Sequence, residues 1–194
     1  MNTKKIIVIG NAKTTIGKNL GKKIDVFDIV IRFNGCQIKG YEQDLGSKID
    51  ILSMIPTGKG ANKLISEILV LPHVRKVKTY WFSRPRNLCG KEYSNILKII
   101  GRNKNILHPT PELFTNIKNK CSNLYQEKQL PSTGMVTIEM ALEAFPNNEI
   151  YITGFDFFKS GHYYSKLPIK LCHPVKAEKD IINTYISQNR LLEL

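Results

Sequence analysis

The 194 residues are enough for one domain with a sizeable core, and 42% hydrophobic with 23% charged residues exclude a disordered chain. A formal net charge of +13 favours polyanionic partners (nucleic acid, anionic lipid headgroups, acidic small molecules), although lysines scattered along the chain argue against a dedicated nucleic-acid arm. No apolar run can span a bilayer, no secretory apolar region follows Met1, and Cys36, Cys89, Cys121 and Cys172 match no metal spacing, so they read as reduced thiols of a cytoplasmic protein.

The first element is Lys4 to Gly10, KKIIVIG, a short strand buried on both faces and ending at a glycine. A strand, a glycine and a polar turn commonly open a nucleotide-binding α/β domain. Two sharper motifs fail here. A P-loop needs four residues between its first glycine and the Gly-Lys pair, whereas six separate Gly10 from Gly17, and Asn19 stands where Ser or Thr is required. The dinucleotide fingerprint fails because Ala12 occupies its second glycine position. What remains is Gly10-Asn11. The Asn11 amide can offer a donor and an acceptor to a nucleotide, or it can simply stabilise the turn. Val26 to Phe33 is mostly apolar and reads as a central strand that delivers Arg32 and Asn34 at its carboxyl edge, where open parallel sheets bind ligands. A turn-rich loop, Gly40 to Lys48, leads into a strand over Ile49 to Ile55, closed by Pro56.

Further on, the spacing predicts an amphipathic helix over Ala61–Leu71, a strand over Val74–Phe82, a helix over Glu92–Ile100, a short strand over Asn105–Leu107 and a helix over Glu112–Glu127. Trp81, Arg84 and Arg86 can meet an acceptor or an anion, but a buried Trp and solvated arginines are the simpler expectation. His73 and His108 are assigned no role. The stretch Leu130-Pro131-Ser132-Thr133-Gly134 then stops a loop and starts an apolar helix over Met135–Phe145. Pro131 holds the chain extended, Ser132 or Thr133 can cap the helix, and Gly134 admits a close approach. Small residues in the first turn of a buried helix leave N–H groups and a positive dipole end for an anion; an ordinary N-cap is the alternative. A turn at Asn147-Asn148, a strand from Ile150 ending in Gly154-Phe155 and a closing amphipathic helix over Ile181–Leu192 complete the chain.

VIGNAKTTIGKNLGKKIDVFDIVIRFN, continued by GYEQDLGSKID, resembles the large sialyl motif of glycosyltransferase family 29, the eukaryotic-type sialyltransferases. PSTG, its helix and the IYITGF strand resemble the small motif. His162-Tyr163-Tyr164 resembles the third motif, with Ser165 where an acid is usual, and His173-Pro174-Val175-Lys176-Ala177-Glu178 matches the fourth, H-x4-E. The resemblance implies a single-domain, Rossmann-like (GT-A-type variant) mostly parallel sheet flanked by helices over residues 1–194. It places donor binding on Asn11, Asn34, Ser132, Thr133 and Gly134, with Gly154 and Phe155 beside the cytosine. It makes His173 the catalytic base, with Glu178 and Arg32 in support, and His162, Tyr163 and Tyr164 the groups facing the leaving phosphate. Core aromatics at 163 and 164 and a capping or core histidine at 173 are the competing readings of those residues taken singly.

The family's luminal members join their two sialyl motifs by a disulfide, whose cysteines would fall at Ile6 and Phe145; packing is expected to replace that crosslink here. The chain starts directly at its first strand, which leads us to expect a minimal catalytic domain of bacterial or viral origin. The chemistry implied is inverting displacement of CMP from a nonulosonic acid by a glycan or glycolipid hydroxyl, with CMP-sialic acid as donor and CMP-Kdo as the alternative. A His base suits a neutral hydroxyl nucleophile. By resemblance no metal or other cofactor takes part, and the sequence has no D-x-D and no cluster at metal-ligand spacing. Nucleic acid is not an expected partner; a non-catalytic basic nucleotide- or nucleic-acid-binding module is the alternative of another class. Peripheral contact with the anionic inner membrane face follows from the charge.

Overall fold

The computed structural model describes residues 3–69, 71–125, 129–165 and 173–194. In chain order the elements are β1 (Lys5–Ile9), α1 (Gly21–Asp25), β2 (Ile29–Phe33), α2 (Glu42–Leu45), β3 (Ile51–Met54), α3 (Gly58–Lys63), α4 (Pro72–Arg75), β4 (Thr79–Phe82), α5 (Glu92–Ile100), β5 (Asn105–Leu107), α6 (Pro111–Tyr125), α7 (Thr133–Ala144), β6 (Glu149–Thr153), α8 (Val175–Ser187) and β7 (Leu192–Glu193). A π-helical turn, Leu64–Ile68, prolongs α3. The strands form one sheet in the order β5-β4-β3-β2-β1-β6-β7, and every pairing is parallel. This is the expected α/β sheet flanked by helices. Strands added after β1 run outward on one side, whereas β6 and β7 lie on the other. The reversal opens a crevice at the carboxyl ends of β1 and β6, the place where such sheets bind ligands.

Side-chain alternation fixes the two faces. Ile6 and Val8 of β1 join Ile31, Trp81 and the apolar sides of α6, α7 and α8 in one cluster. Ile7 and Ile9 join Val30, Ile24, Phe27 and Leu45 under α1 and α2 on the other face. Both layers are needed because a parallel sheet exposes neither face. Ile6 is fully buried, and Phe145 packs on the same cluster, stacked on Trp81 at 6.1 Å, so apolar packing occupies both positions where the family's crosslink would fall.

Several boundaries depart from expectation. β2 starts at Ile29, not Val26: α1 ends just before it, Val26 is 82% exposed, and the Asp28 carboxylate accepts from Lys5 N–H to set the strand entry. The strand expected from Val74 begins only at Thr79, because Pro72 suits the first position of a helix and α4 occupies 72–75. The closing helix starts at Val175 and ends at Ser187; after it Asn189 adopts a positive φ of 54° and the chain returns as β7, paired to β6. Arg84, expected to be solvated, is 6% exposed. Cys36 and Cys89 are free thiols and Cys121 is buried, while Cys172 lies outside the described residues, as does the His73 side chain. Among the described residues no helix is long and apolar enough to cross a membrane.

Candidate active site

The crevice at the switch point is a half-open cleft. It is lined by the residues after β1 (Asn11, Ala12), after β2 (Phe33, Asn34), at the start of α7 (Ser132 to Met135), after β6 (Gly154 to Phe158, Gly161, His162) and at the start of α8 (His173, Glu178, Ile182). Ten sequence-expected residues therefore meet in one place: Asn11, Asn34, Ser132, Thr133, Gly134, Gly154, Phe155, His162, His173 and Glu178.

β1 and β6 approach so closely at their ends that a Cβ on Gly10 would lie 2.0 Å from the Gly154 carbonyl oxygen. That closeness lets the turn after β1 serve as a floor. The Asn11 side-chain amide donates to the Phe33 carbonyl at 3.0 Å, which aims its Oδ1 away as an acceptor. Asn34 sits at φ 50°, a conformation Asn tolerates better than bulkier residues. Its Oδ1 accepts from Ile55 N–H at 3.2 Å, so its NH2 group is the part available to a ligand. Gly134 lies between two rings: a Cβ there would stand 3.1 Å from Phe155 and 3.3 Å from Phe33.

Ser132 is the N-cap of α7, its Oγ accepting from Met135 N–H at 3.1 Å. The Glu178 carboxylate, 3% exposed, accepts from both Ser132 N–H (2.6 Å) and Ser132 Oγ–H (2.7 Å). Glu178 thus anchors the helix start. Arg84 donates to the Ser83 carbonyl at 2.6 Å and, more weakly, to Pro131 O at 3.4 Å, and its guanidinium lies over Phe114. His173 Nδ1 is 3.0 Å from the Leu130 carbonyl oxygen. A carbonyl only accepts, so Nδ1 carries the proton and Nε2 the lone pair. Three consecutive residues, 130 to 132, are gripped by His173, Arg84 and Glu178. Phe158 stacks on the His173 ring at 5.7 Å. Phe157 and Phe158 both have positive φ, 56° and 63°, a strained pair at the cleft wall.

Burial is the main cause that lowers the His173 pKa below its ordinary value of 6.5, and the positive Arg84 adds to it; the bond to Leu130 opposes them. His162 is lowered too, first by burial and then by Lys63, against Asp156. Burial therefore favours the neutral form of both imidazoles.

Three expected residues stand outside the cleft lining. Tyr163 is buried; its hydroxyl donates to the Gln37 carbonyl at 2.6 Å, and burial raises its pKa. Tyr164 backs Asn11, with its hydroxyl 3.5 Å from the Asn11 amide nitrogen, and its ring packs against Gly35. Arg32, 1% exposed, donates to the carbonyls of Lys48 (2.9 Å) and Leu45 (2.5 Å), fastening the loop before β3. The segment that carries the third motif is itself held by the β1 turn, through an antiparallel bridge between Ala12 and His162 and a bond from Tyr163 N–H to Asn11 O at 3.0 Å. Phe33, Phe157 and Phe158 were not singled out for the cleft from sequence, and their places depend on backbone conformations that composition does not signal. Among the described residues no three His, Cys, Asp or Glu side chains could hold a metal ion.

Residues 2–190 match the family model for glycosyltransferase family 29 (sialyltransferase). The chain belongs to this family. The human type 2 lactosamine alpha-2,3-sialyltransferase is 26% identical over 223 residues, covering 98% of this chain and 64% of that protein. The Rattus norvegicus CMP-N-acetylneuraminate-beta-1,4-galactoside alpha-2,3-sialyltransferase is 24% identical over 228 residues, covering 100% and 58%. This family-29 chain thus spans about three-fifths of the curated relatives it matches. A mammalian sialyltransferase crystallised with Gal-beta-1-3GalNAc-ortho-nitrophenol shares the fold at TM-score 0.66 and 17% identity, over 99% of this chain and 69% of that one. The sialyltransferase CstII from Campylobacter jejuni with cytidine-5'-monophosphate does so at 0.62 and 16%, over 100% and 81%.

Proposed function

We propose that the protein is an inverting, metal-independent transferase that moves a nonulosonic acid from a CMP-activated donor to a glycan hydroxyl. The convergence of all four sialyl motifs on one cleft, with a histidine locked in the tautomer of a base, carries this reading. CMP lies across Asn11, Asn34 and the start of α7. Asn34 NH2 and Asn11 Oδ1 meet the ribose and base, Gly154 and Phe155 border the cytosine, and the first-turn amides of α7 meet the donor's negative charge. His173 Nε2 takes the proton of the acceptor hydroxyl as its oxygen attacks the anomeric carbon. The bond from that carbon to the phosphate oxygen breaks, its electron pair leaves with CMP, and His162 donates a hydrogen bond toward the departing phosphate. Attack from the face opposite the leaving group inverts the anomeric configuration.

Tyr163 and Tyr164 act from behind, by holding the β1 turn and the Asn11 amide, and Arg32 by fixing the loop before β3. The direct experiment is a donor screen: CMP-sialic acid against CMP-Kdo with a galactose-terminated acceptor, reading free CMP and the product. Turnover of CMP-sialic acid with transfer to the sugar is expected. Turnover of CMP-Kdo alone would move the donor assignment, and no CMP release from either would end the proposal.

A further inference from the structure

The charges that surround the cleft are sorted by sign. The segments on the cleft side of the carboxyl edge are 10–16 after β1, 34–41 after β2, 55–63 after β3, 83–91 after β4, 154–165 after β6 and 173–178 at the start of α8; the segment after β5, at the far end of the sheet, leads instead to the exposed Glu112. Every exposed charged side chain on them is a cation. Lys13, Lys39, Lys59, Arg86, Lys91 and Lys159 form no ion pair among the described residues. Two carboxylates lie there. That of Glu178 is buried and occupied by Ser132, and that of Asp156 is half-buried and accepts from Ser160 N–H at 2.8 Å. One of the cations reaches the cleft, Lys13, which runs past Gly161; Lys63, paired with Glu67 at 3.7 Å, adds a positive field at His162.

The opposite edge is mixed. Asp25, Asp28, Asp50 and Glu149 each accept a backbone N–H or pair with a lysine there.

A CMP-linked acid presents one phosphodiester and one carboxylate, both inside the cleft. Ionic screening confines each exposed charge to a reach of about 8 Å at physiological salt. Cations on six separate segments of the rim therefore act on whatever extends beyond the donor, and the molecule that does so is the acceptor. Resting on the transfer reaction proposed above, we infer that the acceptor is an acidic glycan, one carrying phosphate or carboxylate groups within a few sugar units of the hydroxyl that is glycosylated. Rim charges of this kind change encounter and affinity more than the chemical step, so the signature belongs in KM and in its salt dependence, not in kcat.

The test uses the whole chain with saturating CMP-sialic acid and two soluble acceptors that share a terminal galactose, one neutral and one bearing a phosphate. At 50 mM salt the phosphorylated acceptor should show a KM about tenfold lower, with similar kcat, and the gap should shrink to about twofold at 300 mM. The double substitution Lys59→Glu, Lys159→Glu should raise KM for the phosphorylated acceptor about fivefold and leave kcat/KM for the neutral one unchanged. Equal KM values for the two acceptors, or an equal salt effect on both, overturn the inference. So does a gain seen only when a neutral acceptor is presented on vesicles containing anionic lipid, which would assign the rim to a membrane surface. If neither acceptor is glycosylated, the transferase reading fails instead, and equilibrium binding of the two acceptors then decides: equal affinity refutes the acidic-glycan assignment, tighter binding of the phosphorylated one sustains it.

Discussion

The two edges of the sheet use polar side chains in opposite ways. At the amino edge carboxylates are consumed in construction: Asp25 accepts from Ser47 N–H, Ser47 Oγ–H and Lys48 N–H, and Asp50 accepts from Val30 N–H. At the carboxyl edge the buried polar groups hold one another so that others face the cleft. Glu178 and Arg84 fix the loop at 130–132, which in turn fixes His173, while Asn11 and Asn34 each spend one half of the amide on the backbone and keep the other half outward. Stability and function are thus separated across one short sheet, and substitutions on the two edges should read out differently.

The largest effect is expected at His173. His173→Ala should retain CMP binding and lose about 10²- to 10⁴-fold in transfer rate, measured as acceptor-dependent CMP release. Normal turnover would show that the base lies elsewhere. Glu178→Ala strips Ser132 of both its carboxylate contacts in a buried setting and should cost about 2–3 kcal/mol in denaturant unfolding. Glu178→Gln keeps one acceptor and should cost clearly less; equal losses would mean that the pairing to Ser132 is not what matters. Asn34→Ala should weaken CMP binding about tenfold, worth one good hydrogen bond, in a calorimetric titration.

On the amino edge, Asp25→Asn should cost about 1 kcal/mol of stability with CMP affinity unaltered. A change in CMP affinity there would erase the contrast between the edges. The smallest effect is in pH. The pKa values of His162 and His173 lie below 6.5 in the folded chain, so between 6.5 and those lower values the unfolded state binds more protons. The stability tied to these groups is intact above 6.5 and is lost as pH falls through the folded values, and transfer should show an acid limb below 6.5 for the same reason. His173→Gln, read by thermal unfolding between pH 7 and pH 5, should flatten part of that slope.

Periodicity and punctuation in the chain are local, and what they govern was legible. The apolar run before Gly10, the fully periodic Glu92–Ile100 helix and the stop-start chemistry of Pro131-Ser132 each declare their element without tertiary help. Boundaries failed where a neighbour overrode the pattern. Val26 is apolar yet exposed, because the strand can start only where β1 offers its partner, and Leu192 belongs to a strand because β6 has an open edge to pair with.

The motifs likewise named the cleft residues but not their duties. The four-residue gap in H-x4-E puts Glu178 in the first turn of α8, yet that its carboxylate also holds Ser132 depends on the packing of α7. Tyr163 and Tyr164 look alike in sequence; alternation at a bridged segment sends one hydroxyl to Gln37 and the other toward Asn11. Composition and order determined by themselves that this chain is an α/β protein, because hydrophobic period and turn chemistry act over a few residues, while the family-29 reading came from the resemblance of its four motifs. The meeting of residues 11, 34, 132, 162 and 173, the tautomer of the histidine and the one-signed rim were decided by the tertiary structure alone, since each is set by groups that touch only after the chain has folded.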